Sequence, residues 1–290
     1  MTEPPFKKTI IFGVGLIGGS FALALRKANA VSEVVGFGRS TQTLAQAQQL
    51  GIIDRAGSDL AAELGDADLV LIATPVAQMT EIFERIAPYL GKHTLITDGG
   101  STKCDVVEAA RRGLGARLLA QFIPAHPIAG TEQSGPAAAL ADLYQGKKVV
   151  LTPLPENSDE AVTRVRQAWE LCGAVIHRMS AAEHDGVFAA VSHLPHLLSF
   201  ALVHDLAQRK NRDLLLSFAA SGFRDFTRIA ASSPEMWRDI SLANRDALMR
   251  EVKLYADELY VLYQALENND AAKLEEIFRV ASQIRGGWKQ

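Results

Sequence analysis

The feature that most constrains the fold is a glycine-rich segment close to the start of the chain. Residues 8–12 form a short apolar run rich in β-branched side chains, residues 13–18 read Gly-Val-Gly-Leu-Ile-Gly, and residues 19–26 are rich in Ala and Leu. This order predicts a strand, a tight turn and a helix. A G-x-G-x-x-G pattern in that context is typical of a dinucleotide-binding site.

Each glycine of the pattern has its own physical reason in that context. Gly13 allows a tight turn, Gly15 lets a pyrophosphate approach the backbone, and Gly18 lets the helix pack closely against the strand. The free N–H groups at the helix N-terminus, around Leu16 and Ile17, would then face the phosphates. The alternative is a glycine-rich turn that binds no ligand.

The end of the second predicted strand, residues 33–37, bears on the choice of cofactor. Enzymes that use NAD normally place Asp or Glu there to hold the ribose hydroxyls, whereas this chain continues with Gly38, Arg39, Ser40 and Thr41. Arg39 offers a fork of donors for a 2′-phosphate. Ser40 and Thr41 add hydroxyl donors, although they equally suit capping of the next helix. The segment favours NADP, with dual use of NAD or an ordinary polar loop as alternatives.

Strand and helix patterns alternate as far as about residue 179. Further strands are predicted just after residues 51–54 and at residues 68–73, 93–97, 118–123, 147–152 and 174–177. The near-continuous apolar runs are typical of parallel strands covered on both faces. We therefore predict an α/β doubly wound, Rossmann-like domain over residues 1–179. Thr74 and Pro75 follow one of these strands, at the edge where such sheets bind ligands.

From residue 180 onward the strand patterns stop and long segments with helical spacing follow, as at residues 242–266 and 271–284. We predict an all-α second domain over residues 180–290. Its apolar positions are too numerous for a small bundle surrounded by water, so this half is expected to pack against a second copy as a homodimer.

Composition excludes several other classes of function. A net charge of −3 argues against nucleic-acid binding, which needs a basic face. Residues 1–9 lack an apolar signal core, and the apolar run at residues 10–25 is too short and too rich in glycine to span a bilayer. Cys104 and Cys172 fit no metal or redox spacing. We expect a soluble, cytoplasmic protein with no membrane partner.

Three groups of residues are candidates for chemistry. Ser101 stands at a predicted helix start, where a simple N-cap is the alternative. His126 lies in an apolar, proline-bounded loop that follows a strand, at the ligand-bearing edge of the sheet. His193 and His196 are three residues apart but lack nearby carboxylate or cysteine ligands. We expect one or both of these imidazoles to face a polar ligand and predict no metal site.

A basic and aromatic segment follows downstream. Arg224 and Arg228 are four residues apart and are predicted to share one helix face, with Asp225 able to pair with Arg228. Trp237 comes shortly afterwards. Arginine next to an aromatic ring suits an anionic cyclic ligand, and the alternative is a solvated charged face beside a core Trp.

Together these motifs resemble the prephenate/arogenate (cyclohexadienyl) dehydrogenase family of tyrosine biosynthesis. The resemblance covers essentially the whole chain and is most specific at residues 97–103, 126–132, 192–196 and 222–225. It implies a nucleotide-binding N-terminal domain, a helical C-terminal domain that dimerises, and a cleft between the two. It further implies NAD(P)-dependent oxidative decarboxylation of prephenate to 4-hydroxyphenylpyruvate, or of arogenate to tyrosine.

The resemblance also implies roles for individual residues. His126 would take the proton of the substrate hydroxyl, and Ser101 would hydrogen-bond both His126 and that hydroxyl. Arg228 would bind a substrate carboxylate. The other implied positions are a pocket lined by Thr131, His193 and His196, and supporting carboxylates at Asp225 and Glu132. The absence of an acid at residues 38–40 departs from the members that use NAD.

Two other functions remain open from the sequence. An NADP-dependent hydroxyacid or imine reductase of similar architecture would turn over simple hydroxyacids reversibly. A non-catalytic NADP-sensing protein would bind NADPH without oxidising prephenate or arogenate. The His126 segment argues against the first, and the presence of Ser101, His126 and Arg228 together argues against the second.

Overall fold

The structure is a computed structural model that describes residues 3–131 and 133–288. Its internal contacts divide the chain into two compact units, one that ends at Asn244 and one that begins at Arg245. The first unit contains two sheets and several helices, and the second contains two helices. The domain boundary between residues 179 and 180 stays a prediction.

Six parallel strands form the main sheet of the first unit. They are β1 (Phe6–Phe12), β2 (Val31–Phe37), β3 (Arg55–Ala56), β4 (Leu69–Ile72), β5 (Leu95–Asp98) and β6 (Phe122–Ile123). Their order across the sheet is β3-β2-β1-β4-β5-β6, so the direction of winding reverses between β1 and β4. Ligands of open α/β sheets bind at the carboxyl ends of the strands beside such a reversal. The doubly wound fold that the sequence predicts is confirmed.

Helices cover both faces of this sheet, because successive strand residues point to opposite sides. On one face Ile11 packs in an apolar cluster with Phe21, and on the other Ile10 packs in a second cluster with Phe83. The helices between the strands are α1 (Leu16–Lys27), α2 (Thr41–Gln49), α3 (Leu60–Leu64), α4 (Met79–Ile86) and α5 (Cys104–Leu119).

The predicted strand at residues 118–123 is wrong in its first half, because α5 extends to Leu119 and β6 contains only Phe122–Ile123. Leu114 and Leu118 are both buried and lie four residues apart. Their side chains therefore continue the apolar stripe of a helix, which has the same composition as the start of a buried strand. Gly115, at a φ of 68°, interrupts the helical geometry between them.

The late strands form a separate sheet, which corrects the expectation that they extend the main one. β7 (Ala125–Pro127) pairs antiparallel with β8 (Lys148–Leu151), and β8 pairs parallel with β9 (Val175–Arg178) across α6 (Asp159–Leu171). Pro124 lacks an N–H donor and stands between β6 and β7, where one sheet ends and the other begins. His126 consequently lies on a strand, whereas the sequence predicts a loop.

The rest of the first unit is helical. It comprises α7 (Ala181–Phe188), a π-helical turn (Ala189–His193), α8 (Leu194–Gln208), α9 (Arg212–Ser217), α10 (Ser221–Thr227), a 3₁₀ turn (Arg228–Ala231) and α11 (Pro234–Ala243). Pro195 has no N–H to donate to the preceding turn, which accounts for the widened helix just before it.

The segment Ala181–Gln208 is 28 residues long and apolar enough to cross a membrane by length and composition. This is weak evidence for a membrane span, since core helices of soluble proteins pass the same test. The segment also carries four buried polar side chains, those of His184, Asp185, His193 and Ser199. The first three hydrogen-bond within the protein, and the Ser199 hydroxyl has no hydrogen-bond partner among the described residues.

The second unit consists of α12 (Arg245–Glu267) and α13 (Ala271–Gly287). The predicted continuous helix at residues 242–266 is therefore wrong at its start, since α11 ends at Ala243. Asn244 makes tertiary hydrogen bonds through its side chain and separates the two helices. Within the second unit, apolar side chains such as Leu254, Tyr260 and Ile284 are exposed in a single chain.

Candidate active site

The glycine-rich turn joins the end of β1 to the start of α1, with Gly15 as the N-cap. Gly13 has a φ of +90°, and a Cβ at that position would lie 2.5 Å from the carbonyl oxygen of Ala73. A Cβ on Gly18 would lie 2.3 Å from the carbonyl oxygen of Gly13. At Gly15, by contrast, a Cβ would meet no described atom within 4 Å. The turn is therefore tightly packed at Gly13 and Gly18 and open at Gly15.

The segment after β2 borders this turn, because β2 is paired with β1. Arg39 is exposed there. The hydroxyl of Ser40 accepts a hydrogen bond of 3.1 Å from the Thr43 amide and caps α2, which begins at Thr41. The capping alternative for Ser40 is therefore realised, and its hydroxyl proton is still available for donation to a ligand.

The loop after β4 borders the turn from the other side. Pro75 is exposed in this loop, and the hydroxyl oxygen of Thr74 is buried without a hydrogen-bond partner among the described residues. Glu33 lies far from this edge, near the start of β2, and its carboxylate pairs with Arg55 at 2.8 Å. Arg39, exposed in the segment after β2, is therefore a charged residue close to the end of that strand.

A buried ion pair between Asp98 and Lys103 holds two segments together behind the sheet edge. Asp98 accepts hydrogen bonds from the amides of Gly100 (2.8 Å) and Ala125 (2.9 Å). The Lys103 ammonium group donates to the carbonyl oxygen of Ala125 at 2.8 Å. Both charged side chains are completely buried. The pair fixes the backbone immediately before each of two candidate catalytic residues, Ser101 and His126.

His126 is the first member of a chain of hydrogen bonds that leads into the protein. Its Nδ1 lies 2.8 Å from Nε2 of His184, and Nδ1 of His184 lies 2.8 Å from Oδ1 of Asp185. An ionised carboxylate can only accept, so the proton of His184 lies on Nδ1 and its Nε2 is an acceptor. His126 then donates from Nδ1, and its Nε2 carries a lone pair.

Asp185 is held in its ionised form by several donors. Its two carboxylate oxygens accept hydrogen bonds of 2.8 Å from the backbone amides of Lys103 and Cys104, at the start of α5. Burial acts to raise the pKa of Asp185, but His184 and these two amides together hold that pKa below its usual value. One carboxylate thus caps a helix and orients a histidine.

Burial also sets the protonation of the two linked imidazoles. Burial, with smaller contributions from His184 and from the Lys103 ammonium group, holds the pKa of His126 well below its ordinary value. Burial likewise lowers the pKa of His184, although its hydrogen bond to Asp185 opposes this effect. Both imidazoles are therefore neutral at neutral pH.

His193 and His196 lie in the same region on either side of Pro195. Nδ1 of His193 is 3.1 Å from the side-chain nitrogen of Asn244, and burial lowers the pKa of His193 to about 4. The ring of His196 stacks on Trp237 with 3.5 Å between the ring centroids. The ring of His193 meets the same indole at 6.1 Å. The indole thus joins the two predicted ligand-facing imidazoles.

Arg228 completes this neighbourhood. Burial lowers the pKa of His196, and the nearby guanidinium of Arg228 lowers it further. The predicted shared helix face of Arg224 and Arg228 needs correction, since α10 ends at Thr227 and Arg228 opens the following 3₁₀ turn. Arg228 and Asp225 are both exposed.

The remaining predicted site residues are placed as follows. Ser101 is half-buried just before α5, whose N-cap is Lys103, so Ser101 is not itself the cap. Among the described residues no hydrogen bond joins Ser101 to His126. Thr131 is exposed and accepts a hydrogen bond from the Gln133 amide at 3.2 Å. Glu132 lies outside the described residues.

Sequence reasoning missed the residues that hold the candidate groups in place. His184 and Asp185 come 58 or more positions after His126, and only the fold brings them to it. An adjacent His-Asp pair in the first helix after the last strand is the signal that could have indicated them. Across residues 3–131 and 133–288, no cluster of three or more His, Cys, Asp or Glu side chains could hold a metal ion.

Two sequence models of one family match the chain in succession. The prephenate dehydrogenase nucleotide-binding domain matches residues 21–178, and the prephenate dehydrogenase dimerization domain matches residues 180–280. Together they account for most of the chain.

Individual relatives agree with these matches. The chain is 39% identical to prephenate dehydrogenase of Bacillus subtilis over 97% of its own length and 76% of the relative. It is 35% identical to cyclohexadienyl dehydrogenase of Zymomonas mobilis, covering 97% of this chain and 95% of that one. A crystal structure of prephenate dehydrogenase from A. aeolicus, in complex with hydroxyphenyl propionate and NAD+, superposes with a TM-score of 0.88 at 35% identity, over 97% of this chain and 98% of that one. The chain described here therefore belongs to the prephenate dehydrogenase family.

Proposed function

We propose that this protein catalyses the NAD(P)-dependent oxidative decarboxylation of prephenate to 4-hydroxyphenylpyruvate. The observation that carries the proposal is the hydrogen bond between Nδ1 of His126 and His184, which leaves the lone pair on Nε2 of His126, in a chain that belongs to this family. In the reaction the ring hydroxyl loses its proton, the ring carbon that bears it loses a hydride, and the ring carboxylate leaves as carbon dioxide. The aromatic ring that forms makes the step strongly favourable.

The glycine-rich turn fits a dinucleotide. The open space at Gly15 suits a pyrophosphate, and so do the N–H groups of the first turn of α1, which includes Leu16 and Ile17 and has no side-chain cap among the described residues. The buried hydroxyl of Thr74, which has no hydrogen-bond partner in the described part of the chain, suits a further polar contact beside that turn. When bound, the nicotinamide supplies the hydride acceptor. The residues of this chain would bind and orient it, with Pro75 beside Thr74.

His126 would act as the general base. A neutral imidazole with a free Nε2 can take the proton of the substrate hydroxyl as the carbon–hydrogen bond breaks. Its lowered pKa keeps Nε2 unprotonated at neutral pH, although it also makes the imidazole a weaker base. Ser101, which is fixed by the neighbouring Asp98–Lys103 pair, would hydrogen-bond the same hydroxyl.

The substrate carboxylates need a cation and polar groups. Arg228 would bind one carboxylate, with Asp225 and Glu132 as supporting acids. His196 donates from Nδ1 to the Ser192 carbonyl oxygen at 3.0 Å, so its Nε2 is free to contact the substrate side chain. Thr131 and His193 would complete the pocket. Arogenate shares the ring, its hydroxyl and its ring carboxylate with prephenate, which makes it the second candidate substrate.

NADP is the cofactor that we favour over NAD. No carboxylate follows β2 to repel a 2′-phosphate, and the exposed Arg39 offers it a charge-assisted contact. The N-terminus of α2, with Ser40 and Thr41, adds donors at the same place. The solved relative in complex with NAD+ makes this preference a question for direct measurement.

The chain would work as a homodimer in the cytoplasm. It contains the family's dimerization domain, and its final helices expose apolar side chains in a single chain. Cys104 and Cys172 are free thiols, as expected of a protein in a reducing compartment.

Replacing the base tests the proposed activity. His126→Asn should lower kcat for prephenate by about 10²–10⁴-fold, because an amide cannot accept the proton, while KM stays within a few-fold. Rates are measured in four assays that combine prephenate or arogenate with NAD or NADP, with the exposed His177→Asn as the matched control. If none of the four wild-type assays produces reduced cofactor, the proposed activity is rejected. Near-normal turnover by the variant would reject His126 as the base.

A pair of glycine variants tests the dinucleotide site. Gly15→Ala places a methyl group in open space, so the free energy of unfolding should change by at most about 1 kcal/mol. The methyl group would occupy the space proposed for the pyrophosphate, so affinity for the dinucleotide should fall by about tenfold or more. Gly18→Ala places its methyl group against backbone and should lower the melting temperature instead. Unchanged dinucleotide affinity of Gly15→Ala, measured by titration with reduced cofactor, would place the pyrophosphate elsewhere.

The cofactor preference has its own test. Arg39→Ala should weaken NADP binding by roughly tenfold or more, the value of one charge-assisted contact, and leave NAD binding nearly unchanged. The exposed Arg117→Ala removes the same charge on α5 and serves as control. Equal losses for NAD and NADP would mean that Arg39 does not contact the 2′-phosphate.

A further inference from the structure

We propose that His184 and Asp185 are positioning residues for the reaction, and that they hold the proton of His126 on Nδ1 so that Nε2 is the basic atom. This inference rests on the proposed function of His126 as the base. It assigns to two buried residues of α7 a task at an imidazole on β7, in the other part of the same unit.

The direction of the hydrogen bonds begins at the backbone. The amides of Lys103 and Cys104 can only donate, so both Asp185 oxygens that they contact must accept. The carboxylate must then accept a hydrogen bond from Nδ1 of His184 as well. Two covalently fixed N–H groups therefore determine the tautomers of two histidines in succession.

Packing against neighbouring side chains restricts the orientation of both imidazole rings, those of His126 and His184. His184 has no exposed surface, and its ring packs against Phe188 with 4.5 Å between the ring centroids. The same Phe188 ring lies 4.9 Å from the ring of His126. Rotation of the His184 ring would break its buried hydrogen bond to Asp185 without a replacement from water, which costs about 1–3 kcal/mol. Packing and hydrogen bonding therefore select the same orientation.

Burial disfavours a charge on His126, and the hydrogen bond from its Nδ1 to His184 is the contact that would stabilise the cation formed during catalysis. When the substrate O–H bond breaks and the N–H bond forms at Nε2, His126 becomes a cation. The charged and titratable groups that face it are His184, Lys103 and His193, and the Lys103 ammonium group is paired with Asp98. A cationic imidazole donates a stronger hydrogen bond to Nε2 of His184 than a neutral one. Asp185, at the end of the chain, supplies the negative charge.

His193 is a useful contrast within the same region. It is also buried, and it hydrogen-bonds Asn244, but its neutral partner supplies no carboxylate and it makes no hydrogen bond to His126 among the described residues. Burial alone therefore does not place a histidine in a hydrogen bond with His126, as His184 is placed.

Two amide variants of His184 separate positioning from simple packing. In His184→Asn the amide nitrogen takes the place of Nδ1 and keeps the bond to Asp185, but the side chain is too short to reach His126. In His184→Gln the side-chain oxygen takes the place of Nε2 and can accept from Nδ1 of His126. Both are polar residues smaller than histidine and leave similar gaps beside Phe188.

We expect kcat to fall about 10²-fold or more in His184→Asn and to recover at least tenfold of that loss in His184→Gln, with KM for prephenate and affinity for the cofactor nearly constant in both. His177→Gln, on the exposed face of β9, is the matched control. Equal kcat values for the Asn and Gln variants, or a His184→Asn variant with wild-type kcat, would overturn the proposal. If the wild type oxidises neither prephenate nor arogenate, the proposed function fails first.

A second measurement applies even if neither His184 variant folds. In wild-type protein labelled with ¹⁵N in histidine, the signals of His126 are assigned by their loss in His126→Asn. A protonated Nδ1 and an unprotonated Nε2 are the expected result. A proton on Nε2 of the ligand-free protein would overturn the proposal.

Discussion

The arrangement of the site depends on the buried pair of Asp98 and Lys103. Removing two charges from water is costly unless their remaining hydrogen-bonding groups are satisfied. Here the carboxylate accepts from two amides and the ammonium group donates to a carbonyl oxygen, all on the segments that precede Ser101 and His126. The pair therefore contributes geometry more than stability, because it ties the end of β5 to β7 at the point where the two sheets meet.

A second carboxylate, that of Asp185, performs the corresponding task for the helical part of the first unit. It binds the N-terminal amides of α5 on one side and His184 on the other, so that α7 is attached to the helix that starts beside Ser101. Asn244 extends the attachment by donating to the Asp185 carbonyl oxygen at 2.8 Å. The sheet edge and the helices that carry His193, His196 and Arg228 are thus joined by hydrogen bonds between fixed groups.

Much of the fold could be predicted from the sequence because its signals are local. The glycine turn, the apolar strands and the change to helical spacing are visible within windows of about ten residues. Long-range pairing was not visible. The assignment of β7, β8 and β9 to a second sheet, the break at Asn244 and the contacts of His184 all depend on partners distant in sequence. Periodicity could not separate the end of α5 from a strand, because Leu118 suits both.

The residues of the candidate site likewise divide into those that local sequence indicates and those that only long-range contacts reveal. Residue type and context indicate His126, Ser101 and Arg228 in the sequence. The groups that determine the tautomer of His126 could not be identified there, because only the fold brings them close to it.

The central claim is that His126 is a neutral base whose pKa lies well below the usual histidine value. Such a base is active above its pKa and loses activity as the pH falls through it.

The most direct test is the pH dependence of kcat/KM for prephenate in the wild-type enzyme, with folding monitored at each pH. We expect a constant rate through neutrality that falls in acid, with a midpoint below 6.5, the ordinary pKa of histidine, and we expect no such fall in the residual activity of His126→Asn. A midpoint above that ordinary pKa, or the same acid limb in the variant, would contradict the account.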